Sequence, residues 1–261
     1  MSSIPDAEAF NWVVGPVGRC IAYVADETRI AGVLHRAIGV LAGMEPMLIV
    51  LRRSFVQSSV PTDGIDQLLA HQRTLGPWAK DILDAQLHPI NSHALIGLWS
   101  AVEVAVEDTL RLVLIKDSLS LAIVFEVGTK MRDKPTSPLS EEDAQRVARA
   151  FERHARSSRP VGHAYAYMLS ALGIEVKLPD NVATTVSEIN YVRNILLHRG
   201  GIVDSRVAAE APELGLQPGS KIAVTSKAYE RYYDAVGEFA KAFLDGVVKS
   251  RHIRVKGKGG L

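Results

Sequence analysis

The strongest constraint on the fold is a stripe of apolar residues between positions 95 and 113. Its members are Leu95, Leu98, Val102, Val106, Leu110 and Val113. Steps of three and four bring side chains to one face of an α-helix. The pattern predicts a helix that begins at a cap on Asn91 or Ser92 and runs to about Ile115. Such a long apolar face must be covered by other helices or strands.

The first third of the chain shows the same helical spacing. Residues 5–58 predict about three helices, separated at Pro16 and at the break over residues 43–46, because proline and glycine interrupt helices. A turn cluster at 61–64 is followed by another predicted helix from 65 to 86. The sequence pattern over residues 5–86 therefore predicts only helices.

The second half predicts further helices at 140–156, 160–172 and 227–248, and one that ends near Arg199. The apolar run at 119–127 is too short for its period to decide between a buried helix and a strand. Residues 221–225 predict a short strand. The expected fold is all-α, a helical bundle with at most one short strand or hairpin near 219–225.

Composition limits the location and the partners. The chain has 30 basic and 29 acidic residues and a formal charge of +1, so affinity for nucleic acid must come from a local patch. A single Cys20 excludes an intramolecular disulfide and favours a reducing compartment, so we expect a cytoplasmic protein. The N-terminus lacks signal-peptide features, and no uninterrupted apolar stretch approaches the roughly 18 residues of a membrane span.

Three polar residues near the end of one predicted helix carry the functional signal. Asn194 and His198 are four apart and share a helix face, and the long side chain of Arg193 can reach the same region. An imidazole moves protons near neutral pH, and a guanidinium binds phosphate through charge-assisted hydrogen bonds. Gly200 and Gly201 allow a left-handed cap that leaves the last turn open. The group indicates a site for binding and cutting RNA.

These residues resemble a known family. The pattern from Arg193 to His198, followed by Gly-Gly-Ile-Val-Asp, is similar to the Arg-x(4–6)-His signature of the HEPN superfamily (higher eukaryotes and prokaryotes nucleotide-binding domains). The segment 95–110 is similar to the long early helix that packs beside the motif helix in that family. The run at 219–225 and the helix near 226–248 resemble the family's short extended piece and final helix.

The resemblance suggests three regions. Residues 88–248 are expected to form a HEPN-type helical domain, and residues 1–87 a helical N-terminal region that resembles nothing known to us. Residues 249–261 are expected to form a basic flexible tail. Its basic residues, which are candidates for weak phosphate contacts, are Lys249, Arg251, Arg254, Lys256 and Lys258.

The resemblance implies a metal-independent endoribonuclease that needs no cofactor. His198 would move protons as the ribose 2′-oxygen attacks the adjacent phosphate, leaving a 2′,3′-cyclic phosphate and a 5′-hydroxyl end. Arg193 would stabilise the charge on the phosphate, and Asn194 would orient the phosphate or the imidazole. A homodimer would place two copies of these residues in one cleft.

The same resemblance implies a role as a toxin or in phage defence, with RNA as the ligand and an antitoxin or regulatory protein as a further partner. The alternative is a helical dimer that binds RNA, a nucleotide or a protein without turnover. The sequence contains no nucleophile elbow, no phosphate-binding loop and no dinucleotide fingerprint. Hydrolases and nucleotide-cofactor enzymes that depend on these motifs are therefore not supported.

Four further residues are candidates for supporting roles. Arg199 can contact a phosphate or simply complement the helix dipole, which also explains His198 without catalysis. Tyr191 can stack on a base or pack in a core or dimer contact. Glu103 and Glu107 can pair with Arg193 or face water.

Overall fold

The structure, a computed structural model, describes residues 7–253. Within that range the chain forms α-helices, one 3₁₀ turn at Pro212–Leu214 and no β-strand. The helices are α1 (Ala7–Gln57), α2 (Asp63–Asp84), α3 (His88–Lys116), α4 (Ser118–Glu126), α5 (Glu141–Arg156), α6 (Val161–Ala171), α7 (Asp180–Arg199), α8 (Ser205–Glu210) and α9 (Ser226–Lys249). The predicted all-α fold is confirmed.

Residue contacts divide the chain into two compact units. Unit 1 contains Leu95–Ile222 and the described residues of Met1–Ala25 and Arg231–Leu261, and unit 2 contains Asp26–Ala94 and Ala223–Glu230. Helices α1, α3 and α9 therefore each contribute residues to both units. Unit 2 continues past the predicted boundary at residue 87, and the predicted site near residue 198 lies within unit 1.

The apolar stripe of α3 is buried at every predicted position, as expected. On the same helix Trp99 is fully buried and stacks on Tyr165 of α6, with ring centroids 5.9 Å apart. The helix begins at His88, so Asn91 and Ser92 lie within it and do not cap it as predicted. Asn91 is buried and uses its amide to bind two backbone carbonyls at 3.0 and 3.1 Å.

The first helix contradicts the prediction of about three helices over residues 5–58. It is one continuous helix of 51 residues, with Pro16 and Pro46 inside it. A proline in a helix interior removes one backbone hydrogen bond and costs about 3 kcal/mol. Close to these prolines the helix buries Val17 and Leu48. Tertiary packing of an apolar face supplies most helix stability in proteins, and here it outweighs the local preference.

By length and composition, Trp12–Gln57 of α1 is the one described helix that could cross a membrane. The sequence predicted no such segment because charged residues interrupt its apolar runs. Core helices of soluble proteins and N-terminal signal sequences share this length and composition, and 11% of the most apolar 18 residues of this helix are buried.

Two short segments were left undecided or were wrongly predicted from the sequence. The apolar run at 119–127 forms helix α4, which is capped by the side chain of Asp117. The strand predicted near 219–225 does not form, because Lys221 makes only a single antiparallel bridge with Ile202. The partner segment cannot extend this pairing, since α8 begins three residues after the bridge.

The beginning of the predicted flexible tail is packed. Helix α9 ends at Lys249, and the following Ser250 and His252 are buried. Arg251 donates a hydrogen bond to Asp117 at 2.9 Å, so its charge is already paired. The remaining basic residues of the predicted tail lie outside the described residues: Arg254, Lys256 and Lys258.

Candidate functional site

Helices α6 and α7 of unit 1 approach each other closely enough for direct backbone contact. The backbone N–H of Gly162 donates to Ser187 Oγ at 2.9 Å, and that hydroxyl donates to the carbonyl of Ala183 at 2.8 Å. A Cβ at position 162 would lie 2.1 Å from the same carbonyl oxygen. Only glycine permits this approach, which holds the start of α6 beside the second half of α7.

Helix α7 ends in the predicted left-handed glycine cap. Gly200 has a φ of +58°, and its N–H returns to the carbonyl of Ile195. His198 and Arg199 consequently remain exposed on the last turn. The partial negative charge at a helix C-terminus favours cations at this position.

A cleft of about 640 Å³ opens beside this last turn. Its walls come from the end of α5, the loop into α6, the second half of α7 and α8. From α7 the cleft is lined by Ile195 and by four polar or aromatic side chains, namely Asn190, Tyr191, Asn194 and His198. Four guanidinium groups also line it, those of Arg156, Arg159, Arg199 and Arg206.

Positive charge exceeds negative charge in this lining. Three arginines pair with carboxylates: Arg199 with Asp204 at 3.1 Å, Arg206 with Glu210 at 2.7 Å, and Arg156 with Glu152 at 3.1 Å. Arg159 has no carboxylate partner among the described residues and lies 4.0 Å from the ring centre of Tyr167. With Glu152 counted, four guanidinium groups stand against three carboxylates, an excess of one positive charge. The excess favours a ligand that carries negative charge.

His198 places an imidazole on the wall of the cleft. Its side chain is exposed and makes no hydrogen bond or ion pair within residues 7–253. A ligand can therefore meet the ring without first displacing a protein contact. An imidazole in such a position can accept and donate protons near neutral pH.

Arg193 does not line the cleft with its two predicted partners. Its Nη1 donates to Asn194 Oδ1 at 2.9 Å, and its Nη2 lies 3.7 Å from Glu103 Oε2 on α3. The guanidinium is largely buried, and its Nε has no acceptor among the described residues. Five residues correspond to about 140° around a helix axis. Arg193 and His198 therefore point to different sides of α7.

The other predicted site residues also fall into two groups, those that line the cleft and those that lie outside it. Arg199 and Tyr191 both line the cleft. Glu103 pairs with Arg193, whereas Glu107 accepts a hydrogen bond from Gln145 at 3.5 Å.

Sequence reasoning missed three of the four cleft arginines, Arg156, Arg159 and Arg206. Arg156 and Arg159 flank the Ser157–Ser158 pair before Pro160, where a basic residue also suits the end of a helix. Two basic residues on either side of a loop that ends a helix were the sequence feature that could have indicated a phosphate-binding site. Because they are far from the Arg193–His198 motif in the sequence, nothing local showed that they lie in the same cleft as His198.

Within the described residues, no group of three or more His, Cys, Asp and Glu side chains is placed to hold a metal ion. Comparisons of the chain with protein-family models, with curated proteins and with solved structures give no match.

Proposed function

We propose that the protein binds RNA in the cleft at the end of α7 and cleaves it without a metal, as a HEPN-type endoribonuclease. The observation that carries the proposal is an exposed, unpaired His198 on the wall of a cleft that contains four arginines. RNA is the ligand class with closely spaced phosphates and a 2′-hydroxyl that an imidazole can activate.

Binding would depend on the cleft arginines together with Tyr191. Arg159 has no carboxylate to leave before it contacts a phosphate, so it is the first candidate for this role. Arg199 and Arg206 would have to exchange their carboxylate partners for phosphate oxygens. Tyr191 offers an aromatic face on which a base can stack.

In the chemical step, the ribose 2′-oxygen attacks phosphorus and the bond from phosphorus to the 5′-oxygen breaks. One group removes the proton from the 2′-hydroxyl, and another donates a proton to the leaving 5′-oxygen. His198 performs one of these transfers. A second chain that brings its own His198 to the same RNA would perform the other, which is why the proposal includes a homodimer.

Arg193 would act through Asn194 in this arrangement. Because Arg193 Nη1 holds the amide oxygen of Asn194, the amide nitrogen is directed away from Arg193. Asn194 lines the cleft, so its two N–H groups are available for a phosphate oxygen there. Arg193 is thus a positioning residue, and the cleft arginines stabilise the charge that develops on phosphorus.

A second function is favoured by one observation. The predicted charge-stabilising residue, Arg193, contacts Glu103 and is absent from the cleft lining. The alternative is a module that uses the same cleft to bind RNA, a nucleotide or an acidic protein segment without cleavage. A toxin or phage-defence role in the cytoplasm, restrained by a partner protein, is proposed for either form.

A cleavage assay with EDTA present tests the catalytic proposal. We expect the wild type to cut single-stranded RNA into products with 5′-hydroxyl and 2′,3′-cyclic phosphate ends. His198→Ala should lose cleavage but retain RNA binding, while the control His93→Ala, at an exposed position of α3, should cut like the wild type. Binding without cleavage by the wild type would favour the second function. Equal cleavage by wild type and His198→Ala would refute the catalytic role.

An anisotropy titration across a salt series tests the binding site. Arg159→Ala should weaken RNA affinity and reduce the slope of log affinity against log salt by about 1, as expected for the loss of one phosphate contact. Arg73→Ala, which removes an exposed arginine of α2, is the matched control. Superimposable slopes for all three proteins would remove Arg159 from the binding site.

A further inference from the structure

Unit 2 contains a helical hairpin formed by α1 from Asp26 onward and α2. Its inner face holds Leu48 of α1 against Ile65 and Leu69 of α2. Farther from the turn, Gln72 of α2 donates to the backbone carbonyl of Leu41 of α1. Residue numbers fall along α1 as they rise along α2, so the two helices are antiparallel.

The α1 part of the hairpin leaves a regular apolar stripe exposed. Positions 30, 33, 37, 40, 44, 47 and 51 alternate in steps of three and four, and all are apolar. Five large side chains of this α1 stripe are exposed: Ile30, Val33, Val40, Met47 and Leu51. Val33 is 67% exposed, Val40 58% and Met47 60%. A heptad repeat of this kind is the pattern by which one helix packs along another.

Helix α2 carries a second stripe with the same repeat. Leu68, Leu75 and Trp78 are 52%, 43% and 51% exposed, and they occupy heptad positions that Ile82 continues. Met44 of the α1 stripe packs against the inner face of the hairpin. At about 100° per residue, the centre of each stripe is rotated in the same direction around its helix from the residues that contact the other helix. Since the helices are antiparallel, the two stripes lie on the same side of the hairpin.

We propose that two copies of this chain associate through these stripes and form a four-helix bundle from two α1–α2 hairpins. A 3.5-residue repeat is the sequence pattern of helices that pack along one another. Helix α2 also carries charged residues, including Arg73, Lys80 and Asp81, that a bilayer core would exclude. A surface of this kind is complementary to itself across a two-fold axis.

The exposed area is sufficient for a stable dimer. A large aliphatic side chain buries roughly 60–120 Å² when fully covered, so eight side chains that are about half exposed present on the order of 400 Å² of apolar surface. A stable dimer buries about 800 Å² on each partner, and somewhat more than half of that area is apolar. Monomers rarely leave a contiguous apolar patch of more than a few hundred Å².

Sedimentation velocity of the full chain without RNA tests the proposal, over about 1 to 50 µM to bracket micromolar affinity. The proposed function joins two His198 residues on one RNA, so that association does not contribute when RNA is absent. We expect the wild type to sediment with twice the chain mass of 28.4 kDa. Val40→Glu should sediment as a monomer, since it places a charge in the stripe. Val56→Glu is the matched control, because Val56 lies on the same helix with 57% exposure but outside the stripe, and this variant should remain dimeric.

Val33→Gln provides a second disruption, and circular dichroism should show unchanged helicity in all variants. A monomeric wild type, or a Val40→Glu variant that keeps the wild-type mass, would overturn the proposal. So would dissociation of Val56→Glu to the same extent as Val40→Glu. A monomeric wild type that floats with vesicles of neutral phospholipid would reassign the stripes to a membrane surface. None of these measurements depends on RNA cleavage.

Discussion

The close approach of α6 and α7 makes Gly162 the position at which the smallest change should have a large effect. In Gly162→Ala the new methyl group would lie 2.1 Å from the carbonyl oxygen of Ala183, whereas ordinary contact begins near 3.4 Å. The helices must therefore separate by about 1 Å. A gap of that size forfeits a quarter to a half of each packing contact across it.

Three terms set the magnitude. Overpacking of this type costs about 1–3 kcal/mol. Loss of the hydrogen bond from Gly162 to Ser187 leaves a buried N–H unsatisfied at a cost of about 1–3 kcal/mol. The gain in helix propensity returns at most about 1 kcal/mol. We expect a net loss of about 2–4 kcal/mol in the free energy of unfolding, or on the order of 10 °C in Tm.

Urea titrations monitored by circular dichroism, together with thermal scans, measure this loss. Gly237→Ala in α9 is the control, since no atom lies within 4 Å of the methyl group it adds. That variant should match the wild type or exceed its stability by up to about 1 kcal/mol. If Gly162→Ala were as stable as Gly237→Ala, the backbone contact would not hold the two helices together.

Two other substitutions test contacts that support unit 1. Glu188 is nearly buried and accepts hydrogen bonds from Arg231 at 2.7 Å and Tyr232 at 2.6 Å, so Glu188→Gln should lower the free energy of unfolding by about 1–3 kcal/mol, with exposed Glu230→Gln unchanged. Urea midpoints check this difference. Burial raises the pKa of Asp117, but hydrogen bonds from Ser120 and Arg251 outweigh it and hold the pKa below its usual value. Because a lowered pKa stabilises the fold above the unfolded value of about 3.9, Asp117→Asn should be less stable than the wild type at pH 7, and the difference should shrink as pH falls below about 4. A constant difference between pH 7 and pH 3 would contradict this pKa assignment.

The parts of the fold that could be predicted from sequence are those that depend on local periodicity. The α3 stripe identified a helix and its buried face together, because one repeat encodes both. The glycine cap after His198 could also be predicted, because it depends only on the residues at the end of α7. The continuity of α1 was not predictable, since it depends on packing that outweighs Pro16 and Pro46.

The candidate site shows the same limit. Asn194 and His198 share a helix face, and they line one cleft as their spacing predicts. The position of Arg193 depends on the location of Glu103 on another helix, which the motif does not specify. Arg159 enters the cleft because α6 docks on α7, a contact made between residues 25 apart in sequence.

The contact between Gly162 and Ser187 also provides a way to recognise related chains. A catalytic residue can be lost when a binding protein descends from an enzyme, but the backbone approach that shapes the cleft must persist in both. The atom that a Cβ at 162 would meet is a backbone carbonyl oxygen, so no side-chain change at 183 would make room for a larger residue. Descendants of this architecture should therefore keep glycine at 162, even where His198 has been replaced.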